Sequence, residues 1–193
     1  MRHIKSNRYW PSRGCKLVIV VFFFDLLVFP DRTLAQTFEL GVQFTGMHLH
    51  KIDEAPLGVG TRFDYNFRSF AAAELELMHY PENPSGNFGE STVMLGTRLG
   101  KHFDRFGVFG IVRSGVIHFG GGYFTQRLDQ KTHSMMDVGG ALEYYPNRRT
   151  VMRIDLGDAI VYYGNARLFN RPNPDGLGTV HNLQPGFGFG FRF

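Results

Sequence analysis

Three groups of residues in this 193-residue sequence have the types and spacing to do chemistry. The first is imidazole. His48, His50, His79, His118, His133 and His181 all fall toward the same end of the alternating segments described below, and among the later histidines only His102 does not. Six imidazoles at one rim have the donor chemistry for a metal ion. The second group is the pair His133-Ser134, a base beside a hydroxyl, which is the raw material of acyl transfer when a carboxylate orients the base. The third is a set of five arginines (Arg62, Arg98, Arg113, Arg153, Arg192) and seven carboxylates (Glu39, Asp64, Glu74, Glu76, Asp137, Glu143, Asp155) that recur at alternate positions. Guanidinium and carboxylate match as planar, two-pronged partners, so this set has the chemistry of a charge-paired interior.

What these groups do depends on the elements that carry them, and the dominant signal is period two. Eight segments alternate. Phe38, Leu40, Val42 and Phe44 begin the series, and Leu57 to Phe67, Ala73 to Leu77 and Val93 to Gly100 follow. Val108 to Phe119, Met136 to Tyr144 and Met152 to Gly157 continue it, and Gly186 to Phe193 closes it. Connections after segments two, four and six are short (Arg68-Ser69, Lys101 to Phe106, Pro146 to Arg149). Those after one, three, five and seven are long, from about Met47 to Pro56, Tyr80 to Glu90, Gly120 to Thr132 and Gly164 to Thr179. Eight alternating strands with tight turns at one end and long loops at the other predict an all-β, eight-stranded antiparallel up-and-down transmembrane β-barrel. The short turns and both ends of the barrel then lie on the periplasmic side.

Alternation alone does not say which face looks out, since a soluble lipocalin-like barrel has the same period. The polar face breaks the tie. It is crowded with glycine, which weakens a wet strand but leaves room in a narrow lumen. It carries arginine rather than lysine; after residue 35 there are only Lys51, Lys101 and Lys131, all in or beside loops. The apolar face is read as carrying no charge across the central part of any strand, and a charge facing lipid there costs about 2–4 kcal/mol. The apolar face is therefore expected to meet lipid. Phe38, Phe67, Phe70, Phe103, Phe106, Phe191 and Phe193 would form a girdle at the short-turn end, and Tyr80, Phe119, Tyr123, Phe124, Tyr162 and Tyr163 a second one at the long-loop end.

Residues 1–35 read as an export signal. A basic stretch to Lys16 precedes the thirteen-residue apolar run Leu17–Phe29, then Pro30 and the small residues before Gln36. Thirteen residues are too few to span a bilayer as a helix, which takes about 20, so a membrane anchor is the weaker alternative. The domains are thus 1–35, cleaved, and 36–193, the barrel. Six basic residues against two acidic ones sit in the leader, so the formal charge of +4 belongs to it and no nucleic-acid partner is implied. The sole cysteine, Cys15, lies there too and precedes the apolar run. The remainder can form no disulfide, thiolate zinc site or cysteine nucleophile.

With these features the chain resembles the small eight-stranded outer-membrane proteins of the OmpA transmembrane-domain and OmpX type. The resemblance covers 36–193 and rests on the leader, the eight segments, the Arg-bearing stretch Gly107–Gly121 and the ending FGFGFRF. It implies bacterial outer-membrane localisation and an assembly signal in Phe189, Phe191 and Phe193, read by the barrel-assembly machinery after export. The OmpA type continues into a peptidoglycan-binding domain, whereas this sequence ends at its eighth segment, so cell-wall tethering is not carried over. The partners expected are outer-membrane lipid, lipopolysaccharide and an unidentified extracellular ligand of the loops. No cofactor and no enzymatic activity are expected. Adjacent strand residues face opposite ways, so His133 and Ser134 would not act together, which disfavours the alternative of a lipid A-modifying enzyme. Most of the rim histidines would diverge, so the metal site is disfavoured too.

Overall fold

A computed structural model describes residues 38–49, 55–81, 89–120, 128, 130–166 and 176–193. The leader expected at 1–35, with Cys15 in it, and His50, Tyr123 and Phe124 lie outside the described residues. Eight strands follow in order: β1 (Phe38–Gly46), β2 (Leu57–Arg68), β3 (Ala71–Tyr80), β4 (Glu90–His102), β5 (Phe106–Phe119), β6 (Thr132–Tyr144), β7 (Thr150–Gly164) and β8 (Gly178–Arg192). Each pairs antiparallel with its sequence neighbours, and β8 returns to β1 to close the barrel. Closure leaves no edge with unpaired backbone groups, a requirement in hydrocarbon.

The register fixes the stagger. From Val42 the paired residues run Thr61, Leu77, Val93, Val116, Ser134, Tyr162 and Thr179. On β8, however, Val42 itself meets Phe189, ten residues further along. Eight strands with a shear of ten are strongly tilted and enclose a lumen that side chains can fill. At the seam, the Phe38 N–H donates to the Phe193 carbonyl (3.1 Å) and the Phe193 N–H returns the bond (2.9 Å).

The apolar face is outside. Leu95, Leu99, Val108, Leu142, Ile154 and Phe187 are exposed along the wall, while Arg62, Arg98 and Arg153 are at most 1 % exposed within it. This excludes the lipocalin-like alternative, which needs the opposite facing. Glycine on the inner face supplies clearance: a Cβ on Gly58 would lie 2.6 Å from the Tyr80 ring, and one on Gly96 would lie 2.6 Å from Arg113 Cγ.

Three expectations about the wall need correction. Phe67 does not join the lower girdle: the register slips between Asn66 and Arg68, and this bulge leaves Phe67 buried. Of the upper aromatics, Tyr80, Phe119 and Tyr163 point inward and only Tyr162 of the described ones faces out, because those three share parity with lumen-facing neighbours. Finally, one carboxylate does face outward: Asp158 sits on β7 between Leu156 and Ile160, with His181 Nδ1 at 2.6 Å from its Oδ2. The seventh strand continues to Gly164, beyond the Gly157 at which the alternating segment was ended.

Candidate functional site

The lumen has two zones. Toward the long loops it is mostly apolar, with Glu90 and His133 buried among hydrophobic side chains. Met47, Met78, Met94, Ile117, Met135 and Val161 pack with Tyr80, Phe119 and Tyr163, and residues at the loop bases (Leu49, Ala166, Leu177) complete the plug. Below it lies the charged zone, to which every strand contributes.

All twelve charged residues singled out from the sequence occupy this zone and are joined in one network. Arg62 reaches Glu39 at 2.6 Å and Asp64 at 2.9 Å, and donates to Gln43 Oε1 at 3.1 Å. Gln43 passes the connection across the lumen by donating to Asp155 Oδ2 at 3.0 Å. Asp155 holds Arg153 Nε at 2.6 Å, and Arg153 in turn holds Glu74 at 2.6 Å and approaches Glu143 at 3.8 Å. Glu74 also accepts from Arg113 at 3.1 Å; Arg113 pairs with Glu76 and, at 2.5 Å, with Asp137. Arg98 pairs with Glu143 and donates to Asn66 Oδ1 at 2.9 Å. Arg192 closes the circuit by bridging Glu39 (3.0 Å) on β1 and Glu143 (3.4 Å) on β6.

Alternation explains why these residues meet. Arg62 and Asp64, Glu74 and Glu76, and Arg153 and Asp155 are each two apart and so point to the same side of one strand. An arginine in such a pair folds back onto its own-strand partner and still reaches across. The shear of ten then decides which strands' charges share a level. Seven carboxylates against five guanidiniums make the zone acid-rich, and every group but Arg192 is almost wholly shielded from water. Charges so buried are tolerable only when paired and hydrogen-bonded.

Further polar residues belong to the same lining and were not singled out from the sequence: Gln43, Asn66, Thr92, Asn182 and Gln184, all buried. Their signal was available, since each falls at inward parity. Tyr145, just past β6, is another. Its hydroxyl donates to Glu143, the Arg192 guanidinium lies over its ring at 4.2 Å, and burial pushes the phenol above its ordinary range. The His102 ring is tilted against the Tyr145 ring at a centroid distance of 5.2 Å, at the short-turn end.

The other candidate chemistries are not assembled. His133 is buried against Tyr163 (4.7 Å) with Nε2 at 2.9 Å from the Gln130 carbonyl, while Ser134 faces out. His79, His118 and His181 are exposed on the outer wall, each bonded to a different neighbour. Among the described residues no three histidine, cysteine or acidic side chains are arranged to hold a metal.

No protein-family model and no curated protein sequence matches the chain. Its likeness is to solved structures. The N-terminal β-barrel domain of Pseudomonas aeruginosa OprF aligns with a TM-score of 0.50 at 14 % identity, covering 82 % of this chain and 98 % of that one. Neisserial surface protein A (NspA) aligns with a TM-score of 0.53 at 10 % identity, covering 81 % and 96 %. At such identities it is the fold alone that is shared. The chain thus has the fold of the small eight-stranded outer-membrane β-barrels.

Proposed function

We propose that this chain is a non-enzymatic integral outer-membrane barrel, exported by its leader 1–35 and assembled through Phe189, Phe191 and Phe193. Its barrel serves as a rigid, closed scaffold in the envelope and displays four long loops to the exterior, where interaction with an extracellular ligand would take place. The observation that carries this reading is the lumen: ion pairs from all eight strands fill it below, and an apolar plug fills it above. A general pore is a poor fit to such packing, and the lumen brings no nucleophile together with an oriented base among the described residues.

The test is gel mobility of the protein taken from an isolated outer-membrane fraction. A closed barrel stays compact in SDS and changes mobility only after boiling. A heat-dependent shift, with residues 1–35 absent by mass, is the expected result. Protein recovered soluble from the periplasm with no shift would overturn the proposal.

A further inference from the structure

The register lines up four polar residues on the outer wall. His79 on β3 is opposite Ser91 on β4, Ser91 is opposite His118 on β5, and His118 is opposite Thr132 on β6. The contacts are made: His79 Nδ1 lies 2.9 Å from Ser91 Oγ, and His118 Nδ1 lies 2.8 Å from Thr132 Oγ1. Two residues along each strand toward the short turns, Leu77, Val93 and Val116 form an apolar row, 44 %, 48 % and 42 % exposed. The polar row therefore borders the apolar belt on its long-loop side.

The geometry points to this row as a ledge that binds the phosphate of a phosphate-bearing lipid in the outer leaflet. Nε2 of each ring takes no part in the contacts with Ser91 and Thr132, and in the tautomer whose Nδ1 accepts from the hydroxyl it carries the ring N–H. Two outward N–H donors on adjacent hairpins match the acceptor oxygens of one phosphate group or of neighbouring ones. Charge agrees with this occupant. Lys131 is exposed beside Thr132, and Val59, opposite His79 on β2, is apolar. Glu90, next to Ser91, is turned into the lumen. Among the described strand residues the one outward carboxylate, Asp158, is on β7 and engaged by His181. The acyl chains of a lipid held here would lie against Leu77, Val93 and Val116.

The inference rests on the membrane-barrel reading, and the experiment separates the two. The chain is refolded into sugar-headed detergent micelles and its folding checked by heat-dependent mobility. It is then titrated with short-chain phosphatidic acid, with the diacylglycerol of the same chain length, and with inorganic phosphate. Imidazole nitrogen NMR is the readout. Phosphatidic acid is expected to bind saturably and shift the His79 and His118 signals, and diacylglycerol to leave them in place. Inorganic phosphate is expected to act at least tenfold more weakly. A His79→Gln/His118→Gln variant, with mobility unchanged, should bind phosphatidic acid at least tenfold more weakly. A folded barrel on which diacylglycerol matches phosphatidic acid would overturn the ledge and leave the barrel reading intact. So would undiminished binding by the double variant, or inorganic phosphate binding equally well as an adventitious ion only. A parent chain without heat-dependent mobility would overturn the barrel reading and the ledge with it.

Discussion

Arg153 is the residue whose loss tests the luminal network most directly. Its side chain is fully buried, with Nε 2.6 Å from Asp155, Nη1 2.6 Å from Glu74 and Nη1 3.8 Å from Glu143. Arg153→Met keeps much of the volume and removes the charge. Asp155 then keeps only the Gln43 amide, and Glu74 keeps only the contact with Arg113, which also serves Glu76 and Asp137. Breaking a buried pair by removing one partner costs about 3–5 kcal/mol, because the other charge stays where water cannot reach it. At a urea slope of about 2 kcal/mol per molar, this lowers the unfolding midpoint by roughly 2 M. The assay is urea unfolding in lipid vesicles followed by far-ultraviolet circular dichroism and gel mobility. Tryptophan fluorescence is no substitute, since the single tryptophan, Trp10, lies in the segment 1–35 proposed to be removed on export. Adding Glu74→Gln should cost less in the Arg153→Met background than alone, with a coupling of about 2 kcal/mol. A loss below about 1 kcal/mol for Arg153→Met, or strict additivity in the double variant, would refute the claim that the pair is bound as a buried unit.

Three further outcomes are expected. Gly58→Val should lower the urea midpoint by the equivalent of about 1–3 kcal/mol, because the new side chain meets the Tyr80 ring; Gly110→Val, with no atom nearer than 3.8 Å to its Cβ position, should cost less in the same assay. Asp158→Leu should raise the midpoint, since it removes a carboxylate from the lipid-facing wall, whereas His181→Leu should lower it by stranding that carboxylate. Phe193→Ser should reduce assembly in cells, measured as heat-shifted protein in the outer membrane, while refolding in vitro changes by less than about 1 kcal/mol, because the Phe193 side chain is exposed and the Phe38 bonds use its backbone.

Much of the fold was legible because period two is imposed by the pleat itself. Once lipid is placed on the apolar side, Arg62, Glu74, Arg113 and Asp155 have only the lumen left to occupy. What was not legible has identifiable causes. The bulge at Phe67 reverses facing at one residue and leaves no mark in the residue types around it. Asp158 lies outside the alternating segment Met152–Gly157, whose apolar pattern it breaks itself, whereas the strand runs on to Gly164. Tyr80, Phe119 and Tyr163 could have been read from parity, but their grouping at one end suggested a girdle. The partners within the network, such as Arg153 with Glu74 across 79 positions of sequence, follow from the shear, and local spacing does not encode it.

The seam between Phe38 and Phe193 has a mechanical consequence. β1 starts and β8 finishes at the same rim, running in opposite directions, and their first shared bonds are those at the rim itself. Tension applied between these two residues would fall on one rung at a time, peeling the sheet from the rim toward the loops. A load carried across the barrel from one loop to the opposite one would instead be shared by many bonds in parallel. Pulled by its rim ends the barrel should therefore yield at low force in a stepwise trace, although the same hydrogen bonds hold firmly when the membrane presses on it from all sides.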